Sequence, residues 1–251
     1  MFLPCPPLNS LLRKIQRGKP DKQSVWQLIF NYILPKFTLF AKLSIFEYNN
    51  LGLSNKRNKM LKKIVLDLET QKSFQEVGGR GKNHLLKVSV ACIYDYQSGK
   101  YLSFEEHELP KLAPLLETAD QIIGFNIKDF DFEVIQPYVN FNIFEVPYLD
   151  LLEEIEKVLR HRIKLELVAQ GTLGSGKSGS GLEAILYYQN GRLDLLKKYC
   201  LDDVKITKQI YEYALKNQKL LYKDFFKTKE IAIKISEAVP RIGVQHQAAL
   251  F

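Results

Sequence analysis

The run Ile64-Val65-Leu66-Asp67-Leu68-Glu69-Thr70 constrains this chain more than any other segment. Its apolar residues read as a buried strand, yet two carboxylates interrupt them, and a buried charge is costly unless paired or bound to a cation. Side chains two apart on a strand share a face, so Asp67 and Glu69 project together while Leu66 and Leu68 face the opposite side. Two other segments carry acids in comparable settings. Asp131 closes Gly124-Phe125-Asn126-Ile127-Lys128-Asp129-Phe130-Asp131 and begins a helix just after an apolar strand, where a carboxylate is favoured. On its own it also suits a helix cap. In Tyr199-Cys200-Leu201-Asp202-Asp203-Val204, the four-residue helical spacing puts Tyr199 and Asp203 on one face. It selects Asp203 over Asp202, which is read as solvated.

The elements around these residues predict an α/β chain. Strands are expected at Ile64–Leu68, Leu85–Tyr96, Tyr101–Phe104, Gln121–Phe125 and Tyr148–Asp150. Gln97-Ser98-Gly99-Lys100 reads as a hairpin turn, and Gly78-Gly79-Arg80-Gly81 as a Gly-rich loop. Helices are expected over Pro110–Thr118, Phe132–Tyr138, Leu151–Leu159, Leu182–Gln189 and Leu193–Leu215, with a late strand at Ile231–Ile235. Three strands before the first helix, then strand–helix alternation, imply a mixed β-sheet flanked by helices in a single domain. Three carboxylate groupings from separate elements then converge at one end of that sheet. Clustered carboxylates repel one another and call for a divalent cation, and Mg²⁺ or Mn²⁺ prefers such hard oxygen ligands.

Charge divides the chain. The 251 residues carry a net +8, but residues 1–59 hold ten of the 36 Lys/Arg and two of the 28 Asp/Glu. The remainder balances 26 basic against 26 acidic groups, so the basic total says nothing of the main domain. Residues 1–59 are a basic, aromatic-rich extension. No uninterrupted apolar stretch there is long enough to span a bilayer, and no secretory cleavage pattern is present. Met60 stands four residues before the first strand, and the reading is that the native product starts there, with 1–59 poorly ordered. An amphipathic helix pair docking on the main domain or on a membrane surface is the alternative. The domain is expected over 60–228, followed by a C-terminal extension, 229–251, with a disordered end. Cys5, Cys92 and Cys200 lie far apart without neighbouring histidines, which argues against zinc and disulfides and suits a reducing cytoplasm.

The Asp67/Glu69 pair, the Asn126-x4-Asp131 element and the Tyr199-x3-Asp203 element resemble the three motifs of the DEDD (DnaQ-like) exonuclease superfamily, in its tyrosine branch. The nearest likeness is the YprB-type ribonuclease-H-like domain, over about residues 62–215. The resemblance implies a ribonuclease-H-like fold and a nuclease that removes nucleotides from a 3′ end with two metal ions. Two such ions about 4 Å apart clamp a phosphodiester, one activating water and the other stabilising the leaving oxygen. By that resemblance Asp67 bridges both metals, Glu69 and Asp203 hold the metal carrying the nucleophile, Asp131 holds the second, and Tyr199 orients the water. Asn126 is a structural or substrate-contacting neighbour. Arg80 and Lys177 are candidate substrate contacts, as Arg80 sits in the Gly-rich loop after the first motif. The implied partner is a nucleic acid with a single-stranded end. A silent nucleic-acid-binding module serving a helicase or repair assembly is the alternative of a different class.

One motif competes. Gly171-Thr172-Leu173-Gly174-Ser175-Gly176-Lys177-Ser178 matches the phosphate-binding loop GxxxxGK[ST] letter for letter. A true phosphate loop has its Lys-Ser pair opening a helix, whereas Gly179 and Gly181 follow here. The related exonucleases carry a Leu-Gly-x-x-Lys element at this place, matched by Leu173, Gly174 and Lys177, which accounts for the letters without ATP.

Overall fold

Period-two alternation along the first strand divides the molecule into two cores. In the structure, a computed structural model that describes residues 61–176, 181–225 and 227–236, this strand is β1 (Lys63–Thr70). The following elements are β2 (Val88–Asp95), β3 (Lys100–Glu105), α1 (Leu109–Glu117), β4 (Gln121–Gly124), α2 (Phe132–Ile135), β5 (Tyr148–Asp150) and α3 (Leu151–Leu159). After them come α4 (Leu165–Leu173), α5 (Gly181–Gln189), α6 (Leu193–Asn217), β6 (Lys219–Lys223) and β7 (Thr228–Ala232). β1 is the centre of a five-stranded sheet ordered β3-β2-β1-β4-β5. β2 and β3 run antiparallel to their neighbours, while β4 and β5 run parallel to β1. The sheet is therefore mixed and flanked by helices, as the element order implies.

Ile64, Leu66 and Leu68 enter one core with Leu112 and Leu116 of α1 and Phe132 and Ile135 of α2. Val65 faces the other core, where it joins Val90, Cys92 and Ile123 beneath Leu196, Cys200, Val204 and Tyr211 of α6. Asp67 and Glu69 continue the Val65 side of the strand, so the long helix α6 crosses the face on which they stand. The β2–β3 turn closes with Gly99 N–H donating to the Asp95 carbonyl at 2.8 Å, and the Asp95 carboxylate accepts from the Gln97 and Ser98 amides.

Local departures from the sequence reading have local causes. β2 begins at Val88, three residues late, because Asn83–Leu85 forms a 3₁₀ turn and Lys87 adopts φ 58°. The helix expected over 132–138 gives way to a 3₁₀ turn at Gln136, where Pro137 supplies no amide. The late strand begins at Thr228 because pairing with β6 sets its register, Leu220 opposite Ile231. Past its end, Ile233 N–H still donates to the Gln218 carbonyl, and Ile233 and Ile235 stay buried. The expectations for 1–59 and for the end of the C-terminal extension lie outside the described residues.

The sequence reading missed α4 altogether, because the ATP-loop letters begin inside it. Val168 and Ala169 are fully buried beside a half-buried Leu165, the spacing of one helical face. A phosphate loop needs those first residues as loop, but Gly171 and Thr172 are helical and Gly174 ends the helix at φ 72°. Gly171 has a packing reason instead: a Cβ there would stand 2.5 Å from Tyr222 Cα on β6. Thr172 stitches the same contact, its hydroxyl donating to the Leu221 carbonyl at 2.6 Å and accepting the Leu221 amide at 3.0 Å. Among the described residues no helix is long and apolar enough to cross a membrane.

Gly171→Ala is expected to destabilise the protein by about 3 kcal/mol, the upper range for overpacking, because backbone rather than a flexible side chain must yield. Urea unfolding measures it, and a variant as stable as the wild type would contradict this account of the α4–β6 contact.

Candidate metal centre

Three carboxylates meet where β1 passes under α6. One oxygen each from Asp67, Glu69 and Asp203 lies within 4.8 Å of the others. Asp67 and Glu69 are half-buried and Asp203 is buried. Like charges at this separation repel by roughly 3 kcal/mol per pair at an effective dielectric near 20. The group is thus a place for positive charge. Asp202, one residue earlier on α6, is half-buried and does not join them. Tyr199, one helical turn before Asp203, is also buried.

The approach of α6 depends on a small residue. Cys200 Sγ lies 3.4 Å from the Asp67 carbonyl oxygen and 3.6 Å from its Oδ2. Burial pushes the Cys200 thiol well up, and neighbouring Cys92 adds to the shift. It is a protonated donor toward Asp67 and not a thiolate ligand. Cys92 and Cys200 are both free and buried. The donor set is accordingly all hard carboxylate oxygen, which fits Mg²⁺ or Mn²⁺ better than a thiophilic metal.

Asp131 arrives from the other side of β1. β4 pairs with β1 only as far as Val65 opposite Ile123. Beyond it the chain turns through Asn126, at φ 70°, into a π-turn over Ile127–Asp131. Gly124 permits this turn, since a Cβ there would collide with the Ile127 side chain. Asp131 is buried, and its Oδ1 accepts the Leu68 amide at 3.0 Å. The sequence reading placed Asp131 at a helix start and allowed it as a cap. Its side chain makes no cap bond, and reaches the β1 backbone between Asp67 and Glu69. It lies outside the tight trio but within its field: burial and then the Asp67 charge push its pKa well above the usual carboxylate range.

Asp150 is the residue that sequence reasoning overlooked. Its Oδ1 accepts the Asn126 amide at 2.8 Å and the Leu152 and Glu153 amides at 3.0 and 3.4 Å, and Oδ2 accepts the Lys128 amide at 3.1 Å. One carboxylate thus caps α3 and pins the turn that carries Asp131. The readable signal was Asp immediately before Leu-Leu-Glu-Glu, a helix N-cap pattern. Asn126 presents its Oδ1 to Arg162 Nη2, and Arg162 Nη1 reaches Asp129 Oδ2 at 2.9 Å. Arg80 is exposed beside Phe74, and Lys177 lies outside the described residues.

This geometry sits within a recognised family. RNase_H_2, of the RNase H superfamily, matches residues 64–215, which include all four carboxylates and Tyr199. The chain belongs to that family. Among solved structures, it is similar to a family B DNA polymerase from the hyperthermophilic archaeon Pyrobaculum calidifontis, at 18% identity and a TM-score of 0.48. The match covers 62% of this chain and 24% of the polymerase chain, so it spans about a quarter of that protein. No curated protein matches the chain. The five-stranded mixed sheet with helices on both faces is the RNase H-like fold.

Asp131→Asn keeps an acceptor for the Leu68 amide and removes a charge opposed by burial and by Asp67. Thermal melts without metal at neutral pH should place the variant at or above the wild type. A raised carboxyl pKa means that the folded state holds a proton longer than the unfolded chain, so this advantage should close as pH falls and wild-type Asp131 protonates. The rise in Tm on adding Mn²⁺ should shrink in the variant. A variant less stable than wild type at neutral pH would show that the charge is compensated in the metal-free protein.

Proposed function

We propose that this chain is a metal-dependent nuclease acting as a 3′–5′ exonuclease on a single-stranded nucleic-acid end, of the DEDD type in its tyrosine branch and of the YprB kind. The observation that carries the reading is the meeting of Asp67, Glu69 and Asp203 oxygens within 4.8 Å in an RNase H superfamily domain. Asp67, Glu69 and Asp203 would hold one Mg²⁺ or Mn²⁺, and Asp131 together with Asp67 a second. When bound, such cations polarise a phosphoryl oxygen, lower the pKa of water and stabilise the leaving oxygen.

The rest falls to the chain's own residues. Tyr199 shares a helical face with Asp203, and a phenol both donates and accepts, so it orients the attacking water without needing to take its proton. Asp131 anchors the β1 backbone between Asp67 and Glu69 by accepting the Leu68 N–H. Asn126, anchored by Asp150 through its amide and by Arg162 through its Oδ1, has only its NH₂ end left to offer, a donor suited to the acceptors of a nucleotide. The polar path from sequence to chemistry therefore runs through two strands, one turn and one long helix.

The test uses 5′-labelled single-stranded DNA and RNA with Mg²⁺ or Mn²⁺. A ladder shortening progressively from the 3′ end is expected, whereas immediate release of a labelled mononucleotide would reverse the polarity. Asp67→Ala and Asp203→Ala should lower the rate by roughly a hundredfold or more, beyond the usual cost of disturbing a metal site's outer partners. Tyr199→Phe should lower it by about a hundredfold at unchanged metal-induced stabilisation. Absence of metal-dependent cleavage above the Asp67→Ala background on both substrates would sink the enzyme reading.

A further inference from the structure

We propose that the loop spanning residues 71–87 receives the sugar–phosphate backbone of a single-stranded nucleic acid, with Arg80 as its leading cation; this rests on the nuclease reading for the site that the loop borders. The loop leaves β1 directly after Glu69 and Thr70 and returns at β2. It carries Lys72, Arg80, Lys82 and Lys87 against Glu76 alone, in a region from 60 to 251 whose charges balance only when the loop is counted. All four cations are exposed. Lys72 faces Glu76 closely enough to help hold that carboxyl below its usual range, after the hydrogen bonds from Ser73. Arg80, Lys82 and Lys87 form no ion pair among the described residues, whereas Arg162 and Arg192 are each committed to carboxylates. Uncommitted exposed cations concentrated beside clustered acids are an arrangement for an external anion.

The loop is not a free flap. At its root the Gln71 amide donates to the Lys87 carbonyl at 2.9 Å, and Gln71 Nε2 donates to the Val88 carbonyl and to Glu106 Oε2. Its far side is built on the turn that carries Asp131. Asn83 Nδ2 donates to the Asp129 carbonyl at 2.9 Å, and the Phe74 ring packs 5.9 Å from that of Phe130. Arg80 stacks in turn over Phe74, its guanidinium carbon 5.6 Å from the ring centre. A chain of contacts thus runs Arg80, Phe74, Phe130, and the next residue is Asp131. Stacking on a ring holds the guanidinium while leaving its donors to face outward, and its flat fork matches two phosphate oxygens. A backbone phosphate held by Arg80 would be positioned relative to the carboxylates by packing, with Lys82 and Lys87 available to neighbouring phosphates. Such contacts set register on the strand and carry no base preference.

The whole 251-residue chain is tested by fluorescence anisotropy with labelled single-stranded DNA and RNA across a salt series. Three forms are compared: wild type, Arg80→Gln/Lys82→Gln, and Lys100→Gln/Lys223→Gln, a charge-matched control at exposed positions on β3 and β6. The basic residues of 1–59 contribute equally to all three. Losing two phosphate contacts on a single strand should flatten the log–log salt slope by about 1.4. Affinity near 0.1 M salt should fall at least about tenfold, with the melting temperature unchanged, while the control stays within about twofold of wild type. Equal losses in loop and control variants, a loop variant that binds like wild type, or a wild type that binds neither oligonucleotide would each overturn the proposal. Arg80→Lys should recover part of the affinity but less than wild type, because charge returns without the stacked fork; full recovery would overturn the role of the stack. The catalytic reading fails separately: if the wild type shows the loop-dependent slope but never cleaves, that reading falls and the backbone surface stands. Wild-type cleavage with a loop variant that binds and cleaves normally gives the reverse.

Discussion

Repulsion among carboxylates at the C-terminal end of β1 is the constraint on which the rest of the structure depends. Asp67 and Glu69 share a face because strand side chains alternate, and Asp203 is pressed toward them by α6. The mutual approach of these like charges is unfavourable in isolation. What compels it is the apolar packing below. Val65, Val90, Cys92 and Ile123 on the sheet bury against Leu196, Cys200, Val204 and Tyr211 of α6. Each fully buried side chain of this kind contributes roughly 1.5–3 kcal/mol, so a handful outweighs the electrostatic cost. A thiol at Cys200 instead of a branched or aromatic side chain lets the helix axis come close enough for Asp203 to reach the strand.

The acids of the molecule fall into two physical classes. Asp150 accepts four backbone amides, two from the turn after β4 and two from the start of α3. A carboxylate with its lone pairs so committed is a clamp, and its work is to fix the conformation between β4 and Asp131. Asp131 stands between the classes. It gives one oxygen to the buried Leu68 amide, beyond the last β1–β4 pair, and burial and then the Asp67 charge raise its pKa well above the usual carboxylate range. Asp67, Glu69 and Asp203 form the second class, where oxygen from different elements is gathered at one point.

The parts of this arrangement that were readable in the sequence are those governed by a short period. Two-residue alternation gives the shared face of Asp67 and Glu69, and the four-residue helical spacing separates Asp203 from Asp202. The mixed character of the sheet was accessible from three strands preceding the first helix, though its strand order was not. What escaped were features set by contacts between distant segments. α4 has the right apolar spacing, but Gly171 reads as a loop signal until the backbone of Tyr222 is seen against it. β6 is short and flanked by lysines, and only its pairing with β7 marks it as a strand. Asp131 is a candidate ligand in the sequence, but its hydrogen bond to the Leu68 amide, 63 residues earlier, is not legible there, since on its own it suits a cap for the helix that follows. The role of Asp150 lay in an N-cap pattern that local reasoning could have caught.

Separation of charge, more than net charge, organises this domain. The basic total of the chain belongs to residues 1–59, and 60–251 are electrically balanced. Within the balance, acids are drawn inward to β1 and α6, while the loop after β1 holds cations at the surface. The two populations share one support, the turn over Ile127–Asp131. Its last residue carries a buried carboxylate, its Asp129 carbonyl receives the loop's Asn83, and its Phe130 ring backs Phe74 and so Arg80. Opposite charges within a few residues' reach would ordinarily collapse into ion pairs. Here Arg80 is held by an aromatic ring and not by a carboxylate, which keeps its charge available while the acids remain at theirs. A polyanion with bound cations, the proposed partner, would satisfy both surfaces at once: its phosphates would answer the loop and its metal ions the acids.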